Sequence, residues 1–238
     1  MQIEKAFRYQ FEDAQWITKL GLGALISLVP ILNLMVVGYM VGIIRNMATH
    51  ADQPLPDWDD LGDKFRDGLI LAAAGLVYLA PILILVCLPL GVLAASGAIS
   101  QSSGLHQLSQ TLGAVGAVAL ACVTVVVALY SLVLSIIRPL IMVIFSHDGT
   151  FASCFRFREI THILDLRTGP FLATWLAAIL ASLVIGLIVG SLNLVLGWIP
   201  CLGLIVGVIL ALGTAVYLMT VDAHLFGQFR VTALEPDR

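Results

Sequence analysis

The chain has 238 residues, of which 60% are hydrophobic and 11% are charged, with a formal net charge of −3 at pH 7. Soluble domains carry about 25% charged residues, so this composition excludes a large soluble core, and no basic patch or motif suggests nucleic-acid binding. All Lys, Arg, Asp and Glu residues lie outside three charge-free stretches, residues 20–44, 68–137 and 168–221. Since about 20 apolar residues cross the bilayer core as a helix, the pattern predicts an all-α, polytopic transmembrane helical bundle with amphipathic interfacial helices.

Residues 1–19 are predicted to form an interfacial helix. Phe7, Phe11 and Trp16 stand among charged residues in this segment. Aromatic rings flanked by charges suit the headgroup region of a bilayer. The alternative is a short soluble cap that packs on the membrane domain.

The apolar segment 20–44 carries Pro30 and Asn33 near its middle. Proline removes a backbone donor and clashes with the preceding helical turn, so Pro30 and Asn33 are candidate hinge residues. Two structures fit the pattern: one kinked spanning helix, or a re-entrant hairpin of two half-helices. Non-helical backbone at membrane depth must be covered by protein or line a wet cavity.

Residues 45–67 form a polar, acidic segment that is predicted to be a cytoplasmic loop. Asp57 is a candidate N-cap for a short surface helix through Phe65. Trp58, Asp59 and Asp60 are candidate contacts for a lipid surface or a protein partner. The acidic residues do not follow the ligand spacing of a calcium loop, and we predict no metal, no cofactor and no catalytic residue.

The stretch 68–137 is too long for one crossing, and the polar residues 96–111 divide it. We therefore predict spanning helices over 68–95 and 112–137. The following segment, 138–169, is predicted to be cytoplasmic and amphipathic, with residues 139–145 running along or just inside the interface. Arg138 ends the long apolar run and is a candidate for snorkelling to lipid phosphates.

The last charge-free stretch predicts two more spanning helices, residues 170–192 and 202–221, with Trp198 in their link as an interfacial contact. Cytoplasmic loops carry an excess of Lys and Arg. This rule places 45–67, 138–169 and the tail 222–238 in the cytoplasm. A hairpin over 20–44 would put the N-terminus there too, whereas a crossing would put it outside.

Three pairs of glycines have the G-x-x-x-G spacing that lets apolar helices approach closely. Packing within this fold is the simplest interpretation, and a homodimer or a partner helix is the alternative. The glycine pairs are Gly38/Gly42, Gly186/Gly190 and Gly203/Gly207.

The four cysteines form no C-x-x-C pair, so neither a disulfide framework nor a cysteine metal site is predicted.

Several short motifs occur in a fixed order along the chain and resemble a prokaryotic family of multi-helix membrane proteins known only as a domain of unknown function. The resemblance covers nearly the whole chain and implies a topology and a bacterial or archaeal origin, but no activity. Gln10 stands where that family usually has proline. The motifs are Ala6–Phe11, Asp13–Trp16, Val29–Asn33, Gly38–Tyr39, Leu55–Asp60 and Gly227–Gln228.

We expect a single integral membrane domain in the prokaryotic cell membrane, with no enzymatic activity. The first functional hypothesis is an accessory or scaffold component that engages membrane lipids, another membrane protein or a second copy of itself. The alternative is a small transporter or channel for a neutral solute or lipid, in which a cavity near Asn33 would bind the cargo. An interfacial enzyme with Asp and His residues is the weakest hypothesis, because no catalytic signature is present.

Overall fold

A computed structural model describes residues 3–49, 55–100, 104–199 and 202–234. Within these ranges the chain forms seven α-helices and no strand, which confirms the predicted all-α class. The chain divides into two compact units. The first combines Met1–Ala72 with Pro139–Arg238, and the second is Ala73–Arg138.

Seven helices follow one another along the chain, with two 3-10 turns, Tyr9–Glu12 and Phe151–Phe155, between them. The helices are α1 Ile3–Arg8, α2 Trp16–Ser27, α3 Asn33–Thr49, α4 Leu61–Ile99, α5 His106–Asp148, α6 Phe157–Leu196 and α7 Leu202–Leu234. Helices α4 to α7 each contain a segment long and apolar enough to cross a membrane. They supply the four spanning helices predicted from the charge-free stretches.

Helix α4 begins later than the predicted surface helix and ends later than the predicted spanning helix 68–95. It starts at Leu61, where the N–H of Lys64 bonds to the carbonyl of Asp60, so Asp57 does not cap it. The predicted short surface helix and the first spanning helix are one continuous helix of 39 residues. Pro81 and Pro89 lie inside this helix without ending it.

Helix α5 also runs past its predicted end. It continues through Pro139 to Asp148, and Leu140, Val143 and Phe145 are fully buried in the protein. This apolar run therefore packs against protein. Its position along or just inside the membrane interface stays a prediction.

Helix α6 bends at Arg167, whose φ of −131° and ψ of 30° are not helical. Pro170 follows three residues later and cannot donate a backbone hydrogen bond. The bend separates the predicted amphipathic part of α6 from the predicted spanning part. In the amphipathic part Ile160 and Ile163 are buried, while Phe157 and Leu166 are exposed.

The second unit is an antiparallel hairpin built from most of α4 and α5. The hydroxyl of Tyr130 donates to the carbonyl of Tyr78 over 2.9 Å. Near the other end, the hydroxyl of Ser109 donates to the carbonyl of Ser96, also over 2.9 Å. Hydroxyl-to-carbonyl bonds of this kind hold apolar helices together without placing a charge between them.

In the first unit, α3 runs alongside α7 in the same direction. Val36 packs with Val216, and Ile44 further along α3 packs with Ala223 further along α7. Helix α2 precedes α3 by only five residues, Leu28–Leu32, and Pro30 lies in this connection. The apolar segment 20–44 is therefore broken where Pro30 and Asn33 predicted it, and Asn33 is the first residue of α3.

Candidate functional site

A buried lysine at the start of α2 joins two distant parts of the chain. The ammonium group of Lys19 lies 2.7 Å from a carboxylate oxygen of Asp13 and 2.8 Å from one of Asp57. It also donates to the carbonyl of Leu55 over 3.0 Å. Three acceptors match the three protons of an ammonium group, so this buried charge is fully satisfied.

Trp58 adds a second connection at the same place. Its indole N–H donates to the carbonyl of Lys19 over 3.0 Å. Its ring stacks on Tyr39, with centroids 4.5 Å apart and planes 9° apart. The ring is half-buried, with one face and its N–H bound within the protein and part of its surface lining a cleft. The contact of Trp58 with lipid or a partner stays a prediction.

These contacts bring Lys19, which immediately precedes the apolar segment 20–44, beside Leu55 and Trp58, which follow it in the chain. Leu20 of α2 and Val36 of α3 pack in one cluster, so the chain reverses direction between these two helices. A re-entrant hairpin of this segment in the membrane stays a prediction.

Hydrogen bonding decides the ionisation of the Lys19 cluster, which is the group defined by Lys19, Asp13 and Asp57. Burial alone would raise the pKa of Asp13, but the bonds from Lys19 and from the backbone N–H of Gln15 outweigh it and hold that pKa below its ordinary value. Burial alone would lower the pKa of Lys19, but the bonds to Asp13 and Asp57 outweigh it and raise that pKa. Both groups are charged at neutral pH.

The pKa shifts of Asp13 and Lys19 predict that the stability of the fold is constant in the middle of the pH range and falls at both ends. The contribution of Asp13 is complete above about pH 4, the ordinary carboxyl pKa, and is lost as the pH falls through its lowered folded-state pKa. The contribution of Lys19 is complete below about pH 10 and is lost as the pH rises through its raised pKa. Thermal unfolding in detergent between pH 2 and 11 measures this profile. Asp13→Asn should make the unfolding temperature less dependent on pH at the acid end of the profile. An unchanged dependence there would contradict the role assigned to Asp13.

A cleft of about 710 Å³ opens beside the Lys19 cluster. One wall comes from the turn before α2 and from α2 itself, and the other from the connection between α3 and α4. It is lined by Glu12, Asp13, Ala14, Gln15, Thr18, Lys19, Leu22, Asp57, Trp58 and Asp59.

The N-terminal segment packs on α7 through buried polar side chains. The hydroxyl of Tyr9 donates to the carbonyl of Thr220 over 2.9 Å, and the amide of Gln10 donates to the hydroxyl of Thr220 over 2.7 Å. The ring of Tyr9 stacks on that of His224, with centroids 4.2 Å apart. Residues 3–19 form α1, a 3-10 turn and the start of α2 rather than one helix, and Phe11 stays exposed. The position of this segment in the headgroup region stays a prediction.

A second, half-buried ion pair connects three helices of the first unit. Arg45 of α3 pairs with Asp67 of α4 and donates to the carbonyl of Ser146 of α5 over 3.1 Å. Asp67 is buried. The arrangement connects helices and provides no open polar site.

The remaining predicted contact residues are the neighbours Asp59 and Asp60 and, far from them along the chain, Arg138 and Trp198. Asp59 and Asp60 are exposed, and Asp59 lines the cleft while Asp60 does not. Arg138 is exposed, as snorkelling requires. Trp198 is 89% exposed at the end of the α6–α7 link.

The glycine pairs have different surroundings. A methyl group on Gly38 would lie 1.8 Å from the carbonyl oxygen of Lys64, and one on Gly207 would lie 2.5 Å from the side-chain oxygen of Asn193. These glycines allow close contacts inside the fold. Gly186 and Gly190 have nothing within 4 Å of an added methyl group.

Sequence reasoning missed Lys19, Tyr9 and His224 as organising residues. The signal for Lys19 was its position as the last charge before the apolar segment, with acidic residues on both sides of that segment.

Three cysteines, Cys87, Cys122 and Cys154, are free, and Cys201 lies outside the described residues. Among the residues that the structure describes, no group of three or more His, Cys, Asp or Glu could hold a metal ion.

Together, the four long apolar helices and the reversed first segment define a multi-helix integral membrane protein. A family described as "Protein of unknown function (DUF4013)" matches residues 22–194. The match covers more than half of the chain, so the chain belongs to this family, a domain of unknown function as the resemblance implied. Searches of curated proteins and of solved structures found no match.

Proposed function

We propose that this chain is a non-enzymatic component of the prokaryotic cell membrane, an accessory or scaffold protein that engages lipids or another membrane protein. The observation that carries the proposal is how the buried polar groups of the first unit are used. Lys19, Arg45 and Tyr9 each bind a carboxylate or a carbonyl on another segment. Such groups hold helices in register, whereas a catalytic group must face a substrate.

The exposed surface supports the same proposal. Leu183, Leu187 and Leu194 of α6 are more than half exposed, and Gly186 and Gly190 lie beside them in open space. Lipid chains cover such a face in a bilayer, and small residues also allow a partner helix to approach. A homodimer through this face is one form of the proposed partnership.

The proposed orientation has both chain termini in the cytoplasm. The segments 45–67 and 138–169 and the tail carry basic residues, whereas the α6–α7 link carries none. The Lys19 cluster joins the N-terminal segment to the connection that precedes α4. With four crossings after that connection, the C-terminus returns to the same side.

The broken first segment favours a second candidate, a small transporter or channel for a neutral solute or lipid. Irregular backbone at a helix break can bind a solute, and a cavity near Asn33 would support that use. The cleft that the structure describes is lined by residues 12–22 and 57–59 and does not include Asn33. The scaffold proposal therefore has the stronger support.

Native mass spectrometry of protein purified gently from its own membranes tests the proposal. A stoichiometric partner chain or a second copy is the expected result, whereas a retained lipid fits both candidates. A stoichiometric small polar solute with none of these would contradict the proposal and favour transport. Alanine replacement of His147, Asp148, His162 and Asp165 should leave the retained species unchanged, because none of these side chains is required in the proposed role.

A further inference from the structure

The cleft beside the Lys19 cluster has the size and lining of a ligand site. Small-molecule sites have volumes of about 300–1,000 Å³ and combine apolar walls with a few polar groups, and this cleft measures about 710 Å³. Leu22, Ala14 and Trp58 contribute apolar surface, and the acidic residues contribute polar surface. We propose that the cleft binds an organic ammonium group, chemistry that an aminophospholipid headgroup or a free amine supplies.

The charges of the lining select a cation. Four carboxylates, those of Glu12, Asp13, Asp57 and Asp59, face one ammonium, that of Lys19. Asp13, Asp57 and the carbonyl of Leu55 occupy the three protons of Lys19. Glu12 and Asp59 remain exposed on the lining, with their charge available to a ligand. An anion would meet this excess negative charge at close range and be repelled.

The spacing of the carboxylates favours an organic cation over a metal ion. In the described parts of the chain, no three acidic or histidine side chains converge closely enough to coordinate a metal. An ammonium group donates up to three hydrogen bonds and does not need a closed shell of oxygens. Glu12 and Asp59, on opposite walls of the cleft, are exposed and supply carboxylate acceptors.

The position of the cleft along α2 favours an amphiphile. Gln15, Thr18, Lys19 and Leu22 line it from one face of the helix, at the spacing of successive turns. Leu22 lies inside the charge-free stretch, whereas Glu12 lies outside it. The cleft therefore extends from the polar flank of the hairpin into its apolar part, where a headgroup and the start of an acyl chain meet.

The inference deepens the proposed lipid engagement and rests on it. Binding of three probes to the full-length protein in a non-ionic detergent tests it, with isothermal titration calorimetry as the measurement. The probes are lysophosphatidylethanolamine, lysophosphatidylglycerol with the same acyl chain, and ethanolamine. We expect the ethanolamine lipid to bind at least tenfold more tightly than the glycerol lipid, and added salt to weaken its binding.

Matched variants connect binding to the cleft. Glu12→Gln with Asp59→Asn should weaken binding of the ethanolamine lipid about tenfold, since charge-assisted contacts are lost. Asp63→Asn with Asp165→Asn removes the same two charges from exposed residues that do not line the cleft, and should change the affinity less than twofold. Equal binding of the two lysolipids, or equal effects of the cleft and control variants, would overturn the inference.

The ethanolamine probe identifies the source of the ammonium group. Binding of ethanolamine as tight as that of its lysolipid, and equally sensitive to the cleft variants, would support the ammonium site and assign it to a free amine. Much weaker binding of ethanolamine would support a lipid headgroup. A retained partner chain or second copy in native mass spectrometry, combined with no selectivity among the probes, would overturn the ammonium site and leave the scaffold proposal standing.

Discussion

Replacing Lys19 by methionine is expected to destabilise the fold by about 3–5 kcal/mol, the cost of removing one partner from a buried ion pair. The side chain of Lys19 is only 4% exposed. Its loss leaves the buried carboxylate of Asp13 without a cation and frees the ends of the α2–α3 hairpin from each other. The midpoint of unfolding in sodium dodecyl sulfate, compared with the unaltered chain, measures the effect.

Two further variants separate the buried charge from a general loss of a basic residue. Arg8→Ala removes a cation whose pair with Glu4 is largely exposed, and it should cost less than about 1 kcal/mol. Adding Asp13→Asn to Lys19→Met should recover part of the loss, because the uncompensated carboxylate is gone. A loss for Lys19→Met as small as that for Arg8→Ala would contradict the structural role of the cluster.

Replacing Gly38 by alanine is expected to destabilise the crossing of α3 and α4 by about 3 kcal/mol. The added methyl group would lie 1.8 Å from the carbonyl oxygen of Lys64. One turn along each helix, a methyl group on Gly68 would lie 1.8 Å from the carbonyl oxygen of Leu34. Because both obstacles are backbone atoms, the helices must separate to admit a side chain. The same detergent unfolding assay measures the result.

The matched control is the same change at Gly186, where nothing lies within 4 Å of an added methyl group. Alanine is favoured over glycine in a helix by up to about 1 kcal/mol, so Gly186→Ala should be neutral or slightly stabilising. Similar losses from Gly38→Ala and Gly186→Ala would contradict the close crossing. A loss at Gly186 alone would instead indicate that its face binds a partner.

The charge map was sufficient to predict the spanning helices, because the cost of an ion in hydrocarbon acts on each residue independently of its neighbours. The missing backbone donor and steric clash of Pro30, rather than charge, located the break between α2 and α3. Helix ends were harder to predict. Helix α5 continues through Pro139 because residues 140–145 are buried against protein, and no local pattern distinguishes that environment from a lipid surface.

The Lys19 cluster was beyond local sequence reasoning. Its partners come from positions 13, 55 and 57, on opposite sides of a long apolar segment. Trp58 and Asp57 resembled an exposed tryptophan and a helix cap because the tertiary contacts that bind them cannot be inferred from neighbouring residues. The same contacts accompany the reversal of the chain between α2 and α3, which the charge pattern alone did not reveal.

The most direct test of the account is the side of the membrane on which the N-terminus lies. Single cysteines at Glu4, Asp63 and Trp198, each in a background without the native cysteines, can be labelled in intact cells and in inverted vesicles with a membrane-impermeant maleimide. With a hairpin over residues 20–44 and four later crossings, we expect positions 4 and 63 to label from the same side and position 198 from the other. Labelling of position 4 together with position 198, opposite to position 63, would mean that residues 20–44 cross the membrane and would contradict the hairpin.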